Sequence, residues 1–568
     1  LSAELFSFVS EGGHLVRRSG LYFWRESILA ILFCSVALPQ AVKGQTAAPD
    51  QQATNQTFDV VVYGGTAGGV IAAVAAARMG LSVALLEPSQ HLGGMVTGGL
   101  SATDHGNKIV VGGYALEVYE RIGRKYGVPL WWYPEPKVAE QVLNEMVGAS
   151  TELYVFLGHR LKAQGGVHKT GTTIEEIVTE NGDRFRAKLF LDSSYEGDLM
   201  AQAGVSYTVG RESSAQYGES LAGVRPKDRA HQFDVKVEAR DARGRLIPEI
   251  SAAPRGEIGS GDKRVQAYNF RMILTTDPRN QVRFLKPRAY DPQRYELLRR
   301  LIEATSRARG SPPPLGELLL IRADLPHSKA DFNNRGAFST DYIGKSYDYP
   351  EGSYDQRARI WTDHVDYVKG LLYYLANDRG VPRSIRDEMN RWGLAKDEFA
   401  DNDNWPYQLY VREGRRMLGE FVMTQRDIQV DTTKPDAIAM GSYNSDSHNV
   451  QRFVQSDGTV QNEGNMEVAV EPYQIPFRMI LPKRTQATNL LVPVCFSASH
   501  VTYSTLRMEP QYMMIGQAAG VASALALKAG VPIHDVDVAQ LRRTLKAQGM
   551  VDVYNPAKAP RIPPPLRR

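Results

Sequence analysis

The sequence predicts an α/β protein with a parallel sheet at its centre and a second, α+β region inserted into the chain. Three observations predict it. Val60 to Tyr63 is an apolar run that reads as a buried parallel strand. A glycine-dense turn follows, Gly64, Gly65, Gly68 and Gly69, and leads into the Ala-rich segment Val70 to Arg78, of helical pattern and ending at Gly80. A second apolar run, Ser82 to Leu86, ends on Glu87. Strand, glycine turn, helix, strand and acid succeed one another as in a Rossmann-like dinucleotide-binding unit.

Each position of the turn has a physical reason. Gly64 lets the chain leave the strand sharply. Gly65 and Gly68 leave backbone N–H groups able to approach a pyrophosphate, and Gly69 lets the helix pack close to the sheet. The helix N-terminus then faces an anion with free amides and the positive end of its dipole. In the pattern G-x-G-x-x-G the third position is Thr66, followed by Ala67. Glu87 lies 23 positions after Gly64, in register to accept hydrogen bonds from a ribose diol.

Length and charge set the outer bounds. At 568 residues the chain exceeds one typical domain, so two intimately linked domains are expected. The net charge of +4 is spread along the chain with no basic stripe, which argues against nucleic acid as a partner. Two cysteines, Cys34 and Cys495, are too few for a Cys-based metal site. Asp401-Asn-Asp-Asn404 starts like a calcium loop but lacks the central glycine and the terminal glutamate, and no metal is expected.

Residues 1–46 read as a leader. Arg17, Arg18 and Arg25 precede the apolar run Ile28 to Leu38, which is too short to span a bilayer but fits a secretory signal. The Arg17-Arg18 pair points weakly to the twin-arginine route. The expectation is export to the periplasm or beyond, without a stable membrane span. Residues 47–57 form a polar linker.

The loop Gly93-Gly94-Met95 continues the glycine-rich segment after Glu87 and can wrap a ligand without side-chain clashes. Tyr114 to Tyr126 and Pro136 to Gly148 have helical patterns. Between them lies Leu130-Trp-Trp-Tyr133, either a packed loop or a stacking wall for a flavin or sugar ring. Three strand patterns follow, at 153–157, 172–179 and 185–191, with Asn181-Gly182 as a hairpin signal between the last two. The last strand ends at Asp192, and Asp198 opens a short helix; acids at a strand's carboxyl end sit where α/β sheets bind ligands.

With these elements in hand the chain resembles the FAD-dependent oxidoreductase family of glutathione-reductase-like flavoproteins, some of which are linked with polysaccharide breakdown. The motifs that carry the resemblance are Tyr63-Gly-Gly-Thr-Ala-Gly-Gly69, Leu92-Gly-Gly-Met95, Ser194-Tyr-Glu-Gly-Asp-Leu-Met200 and Gly210-Arg-Glu212. Further on come Tyr410-Val-Arg-Glu-Gly-Arg-Arg416, Gly441-Ser-Tyr-Asn444 with Asp446-Ser-His448, Ser497-Ala-Ser-His-Val501, and Arg507-Met-Glu-Pro510 through Gly516-Gln-Ala-Ala-Gly520. The resemblance implies FAD as the bound dinucleotide. It divides the chain into a cofactor-binding domain at 58–215 and 471–550, a substrate domain at 216–470 and a Pro/Arg-rich tail at 551–568. Cofactor contacts would come from the turn, Glu87, Gly93 to Met95, Asp192, Asp198, Ser497, Arg507, Gly516 and Gln517.

In the middle region, Phe233 to Glu238 and Val265 to Leu274 alternate like strands, and Arg294 to Ala308 and Ile360 to Asn377 have helical spacing. On a helix Arg412 and Arg416 share a face and Glu413 can pair with Arg416; Arg412 would hold an anionic or hydroxylated substrate. Asn489 to Val494 reads as a strand and Met508 to Leu527 as a helix that closes over the flavin. His500 is the first candidate for a general base and His448 the second, since imidazole titrates near neutrality. The reading is hydride transfer between a small organic substrate (a sugar, polyol or hydroxy acid) and the flavin. The electron acceptor would be oxygen, a quinone or a redox protein. Two alternatives are reduction of an activated double bond and a non-catalytic carbohydrate-binding protein that kept the fold.

Overall fold

A computed structural model describes residues 54–556. The expected leader, most of the linker, Cys34 and the distal part of the tail lie outside the described residues.

The core is a parallel sheet. Strands β1 (Asn55–Tyr63), β2 (Val83–Glu87) and β3 (Leu153–Leu157) follow the apolar runs, and the sheet is extended by β4 (Val167–Thr170), β5 (Thr173–Val178) and β6 (Arg184–Asp192) in the order β3-β2-β1-β6-β5-β4. β3, β2, β1 and β6 are parallel, with Val62 opposite both Leu85 and Leu191. β5 runs antiparallel to the first residues of β6. The turn between them uses Gly182 in the left-handed region, φ +90°, as the Asn-Gly pair predicts. Where β5 leaves β6, the short strand Leu490–Leu491 takes its place, parallel to Phe190–Leu191. β1, β2 and the end of β6 are buried apolar runs because both faces are covered, one by α1 and the other by residues that include Leu161, Leu199, Met200 and Met417.

Helix α1 (Ala67–Arg78) crosses from β1 to β2. Helices α2 (Gly113–Lys125) and α3 (Pro136–Gly148) lead to β3. A long helix near the C-terminus, Glu509–Ala529, is buried on every side from Glu509 to Ala526, and small residues decide where it lies. A Cβ on Gly516 would stand 2.1 Å from the Gly68 carbonyl oxygen, and one on Gly520 2.3 Å from that of Ala72. Glycine therefore brings two helix backbones into direct contact. No helix among the described residues is long and apolar enough to cross a membrane.

The middle of the chain forms a five-stranded antiparallel sheet in the order Leu319–Leu325, Lys329–Asn334, Met272–Thr275, Gly393–Ala395, Gln281–Val282, flanked by the helices Glu296–Arg309 and Tyr354–Asn377. The described residues all lie in one compact unit. Lys329, on a central strand of this sheet, is fully buried, and its ammonium reaches Glu135, Asp397 and Glu398. Those three carboxylates converge like metal ligands, but Lys329 and Lys137 both pair with all three, and Lys329 ties α3 to the second sheet.

Three local expectations fail. Phe233 to Glu238 is not a strand: the Phe233 amide bonds the Gln461 side chain, and only Glu238 makes a bridge, to Thr459. Of Val265 to Leu274, only its end joins the strand Met272–Thr275. The segment Tyr410 to Arg416 is extended rather than helical. Its Tyr410 amide bonds Asn269 O and Arg416–Met417 pairs with Tyr207–Thr208. Gly414 in the middle weakens the helical alternative by about 1 kcal/mol, and the buried side chains on both sides reach different elements.

Candidate functional site

The glycine turn is stitched to the sheet by side chains. Gly64 has φ +96°, and a Cβ there would stand 2.5 Å from the Ser194 amide nitrogen. Thr66, the departure from the glycine pattern, has two roles. It caps α1, its Oγ1 accepting the Gly69 N–H at 3.1 Å, and it donates to Ser193 O at 2.8 Å. Serine and threonine are favoured caps for this reason. Gly69 packs on the turn itself, 2.0 Å from Gly64 O were a Cβ present, while the same side of Gly68 faces the Tyr512 backbone of the closing helix. Ala67, buried, starts the helix, whose first-turn amides have no intrahelical acceptor.

Glu87 sits at the end of β2. Its Oε2 accepts the Gly65 N–H at 2.7 Å and its Oε1 the Ser89 N–H at 2.8 Å. Burial raises its pKa against these bonds. Gly93 N–H bonds Gly65 O at 2.7 Å, so the second glycine loop lies on the first. The Met95 N–H is accepted by Tyr195 Oη at 3.0 Å, and a Cβ on Gly94 would meet that hydroxyl at 2.5 Å.

These elements form one end of a cavity of about 490 Å³, within the usual range for ligand sites. Gly64, Thr66, Glu87, Gly94, Glu196 and Asp198 line it, at the carboxyl edge of the parallel strands. Glu196, in the Ser194–Met200 motif but not picked out as a site residue from sequence, accepts the Tyr349 hydroxyl at 3.1 Å, and burial pushes its pKa up to about 7. Asp192 faces elsewhere: Ser194 N and Oγ and Met200 N occupy its oxygens, and burial raises it to about 6.

The candidate catalytic residues do not line this cavity. They form a separate buried chain of hydrogen bonds. His500 Nδ1 lies 2.8 Å from Glu413 Oε2. Glu413 Oε2 also accepts Gln266 Nε2 at 2.9 Å, and Gln266 Oε1 accepts the His448 amide at 3.0 Å. His448 Nδ1 lies 2.7 Å from Asp341 Oδ2. Arg412 Nη2 lies 3.1 Å from Asp341 Oδ1, off the hydrogen-bonding direction, and its Nη1 donates to Ala267 O at 2.6 Å. Burial pushes the carboxyls up, but His500 and Arg416 bring Glu413 down to about 2, and Arg412 and His448 do the same for Asp341. His448 is shifted downward by burial and by the nearby Arg412. The Nε and Nη2 of Arg412 have no hydrogen-bond acceptor among the described residues.

The remaining predicted residues hold the frame. Ser497 Oγ accepts the Gly419 N–H at 3.1 Å. Arg507 donates to Tyr410 Oη at 2.9 Å and to Asp446 Oδ2 at 3.0 Å, and its Nε has no acceptor among the described residues. Gln517 accepts the Tyr114 N–H and donates to Gln548, tying α2 to the end of the chain. Gln266 and Asp341 were not legible as site residues: a lone Gln or Asp in an irregular segment carries no spacing signal.

Residues 59–545 match the family described as FAD dependent oxidoreductase. Among curated proteins none matches the chain. Solved structures share parts of it. L-proline dehydrogenase from P. horikoshii is 15% identical over 31% of this chain and 27% of its own, with TM-score 0.17. p-Nitrophenol 4-monooxygenase from Pseudomonas putida is 14% identical over 28% and 45%, with TM-score 0.20. Thioredoxin reductase from T. acidophilum is 22% identical over 24% and 35%, with TM-score 0.16. The matches span less than half the length of each solved chain. FAD fits these residues: Gly64, Thr66 and the Glu87 carboxylate line one cavity, and α1 opens at its edge with the Ala67 and Gly68 amides, while those of Gly65 and Gly69 are taken by Glu87 and Thr66.

Proposed function

We propose that this chain, which belongs to the FAD dependent oxidoreductase family, transfers a hydride between a small organic substrate and FAD. The observation that supports this most is the cavity at the carboxyl edge of the parallel sheet, where the glycine turn and Glu87 meet. The turn and first helical amides would hold the diphosphate, and Glu87 the ribose. When bound, FAD supplies a two-electron acceptor.

The chain's own part is positioning and proton transfer. Glu413 fixes His500 by taking its Nδ1–H, which leaves Nε2 as the proton acceptor. Such a base can take the hydroxyl or amine proton as a C–H bond is oxidised. Asp341 orients His448 in the same way. Arg412, with two buried N–H directions unanswered by the protein, supports a role in holding an acceptor group of the substrate. The basic and apolar stretch from Arg17 to Leu38 supports export as part of the same reading.

Anaerobic reduction of the bound flavin tests it. Across a panel of sugars, polyols, hydroxy acids and amines, a substrate should bleach the flavin, and His500→Ala should slow that step by about 10² to 10⁴ with FAD retained. Unchanged flavin reduction in the variant would remove His500 as the base.

A further inference from the structure

One wall of the cavity belongs to neither the glycine turn nor the parallel sheet. It is made by Tyr354, Arg357, Ala358, Trp361 and Thr362. Their three- and four-residue spacing puts them on one face of the helix Tyr354–Asn377. This helix lies in the middle region, far from the turn in sequence.

The wall is fastened by ion pairs. Arg357 grips Asp198 with both terminal nitrogens, Nη1 to Oδ2 at 2.6 Å and Nη2 to Oδ1 at 2.9 Å. Arg415 adds a third bond, to Oδ1 at 2.6 Å. Burial pushes the Asp198 carboxyl up, yet the two guanidinium groups hold it below its ordinary value. The Tyr354 hydroxyl donates to Leu161 O at 2.8 Å, so the helix start is also tied to the loop after β3. Arg357 Nε and Nη2 donate in addition to Tyr349 O and Pro350 O. Arg357 is thus spent on fastening rather than on a ligand charge.

Trp361 is the one tryptophan among the lining residues. It is half-buried, held edge-on by Phe270 with ring centroids 5.5 Å apart. Tyr407 and His91, also in the lining, are stacked on each other with ring centroids 3.5 Å apart. An indole in the lining of a cavity that also offers the Glu87 and Glu196 carboxylates suits a planar ring attached to a polyhydroxylated chain.

We propose that the middle region completes the cofactor site: Trp361 stacks on a planar ring of the dinucleotide, and the Asp198–Arg357 pair holds the helix that carries it. This rests on the reading that the cavity holds FAD. FAD presents two such rings, adenine and isoalloxazine, and the experiment separates them.

The full-length protein loaded with FAD is diluted and the release of free flavin is followed by its fluorescence. Release from Trp361→Ala should be about tenfold faster than from the wild type or more, the effect of losing one stacked base. Trp361→Phe, which keeps a ring, should stay within about threefold, and Arg357→Gln should release as fast as Trp361→Ala. In parallel, the apoprotein's tryptophan emission is titrated with ADP and with FMN. A quench by ADP that shrinks in Trp361→Phe assigns adenine to Trp361, and a quench by FMN that shrinks in Trp361→Phe assigns the isoalloxazine, the other tryptophans supplying the remainder. If Trp361→Ala fails to fold, that quenching comparison decides. A wild type that holds FAD while Trp361→Ala releases it at the same rate, or quenching by both ADP and FMN that is undiminished in Trp361→Phe, would overturn the inference alone. A wild type that neither carries nor binds FAD would remove the cavity reading, and the inference with it.

Discussion

The cavity beside the glycine turn and the buried chain from His500 to Arg412 use the same residue types under opposite conditions. In the cavity, Glu87 and Glu196 form no ion pair among the described residues, so burial outweighs the pull of His91 and Arg357 and raises both, Glu196 to about 7. In the buried chain, Glu413 and Asp341 are more enclosed still, yet each faces an arginine and a histidine and titrates at about 2. Pairing, rather than depth, sets the charge state. In the cavity the Glu87 oxygens accept only backbone N–H groups and Glu196 only a tyrosine hydroxyl, whereas in the buried chain Glu413 and Asp341 are held by cationic partners.

That contrast can be broken most sharply at Glu413. Glu413→Ala would leave the buried His500 ring without its acceptor and Arg416 with Glu212 as its one remaining carboxylate among the described residues, and unfolding by urea should show a loss of about 3–5 kcal/mol. Glu87→Ala should act on the ligand instead. FAD affinity, measured by flavin fluorescence, should fall about tenfold to a hundredfold, the value of a hydrogen bond to a charged group. If the two variants changed stability equally and left FAD affinity alone, the division between frame and receptor would be wrong.

Gln266→Leu is a smaller cut through the middle of the chain. It leaves Glu413 and the His448 amide one partner short and should cost about 1–3 kcal/mol. A pH profile sharpens the comparison last. Glu413 and Asp341 have folded pKa values below their ordinary 4.5 and 3.8. Their contribution is present above those ordinary values and is lost as pH falls toward 2. Glu509 is the reverse. It is buried with only the Tyr195 hydroxyl for company, and burial pushes it up to about 8. The folded protein keeps a proton that the unfolded chain releases near 4.5, so stability should drop as pH rises from there through 8. Glu509→Gln should flatten that decline in urea midpoints measured between pH 5 and 9.

Much of the cofactor half was legible because its signals are local. β1, the turn, α1, β2 and Glu87 fall within one short stretch, and glycine positions report backbone geometry directly. The Asn181-Gly182 turn gave the hairpin for the same reason. The middle region was less legible. Tyr410 to Arg416 has the composition of a charged helix, but its side chains are buried and pulled to Ala267, Asp341, Gln266, Asp198 and Glu212. Partners that distant override helical propensity, which is worth less than about 1 kcal/mol per residue. The same limit hid Gln266 and Asp341.

The sequence by itself determined the parallel βαβ core and the glycine cradle with its acid in register. Each follows from short-range sterics and hydrophobic periodicity. Only the tertiary structure decided that His500 and His448 share one hydrogen-bonded chain through Gln266, and that a helix of the middle region forms a wall of the cavity. Those arrangements are made by contacts between residues far apart in the chain, and no local pattern encodes which buried acid will meet which base.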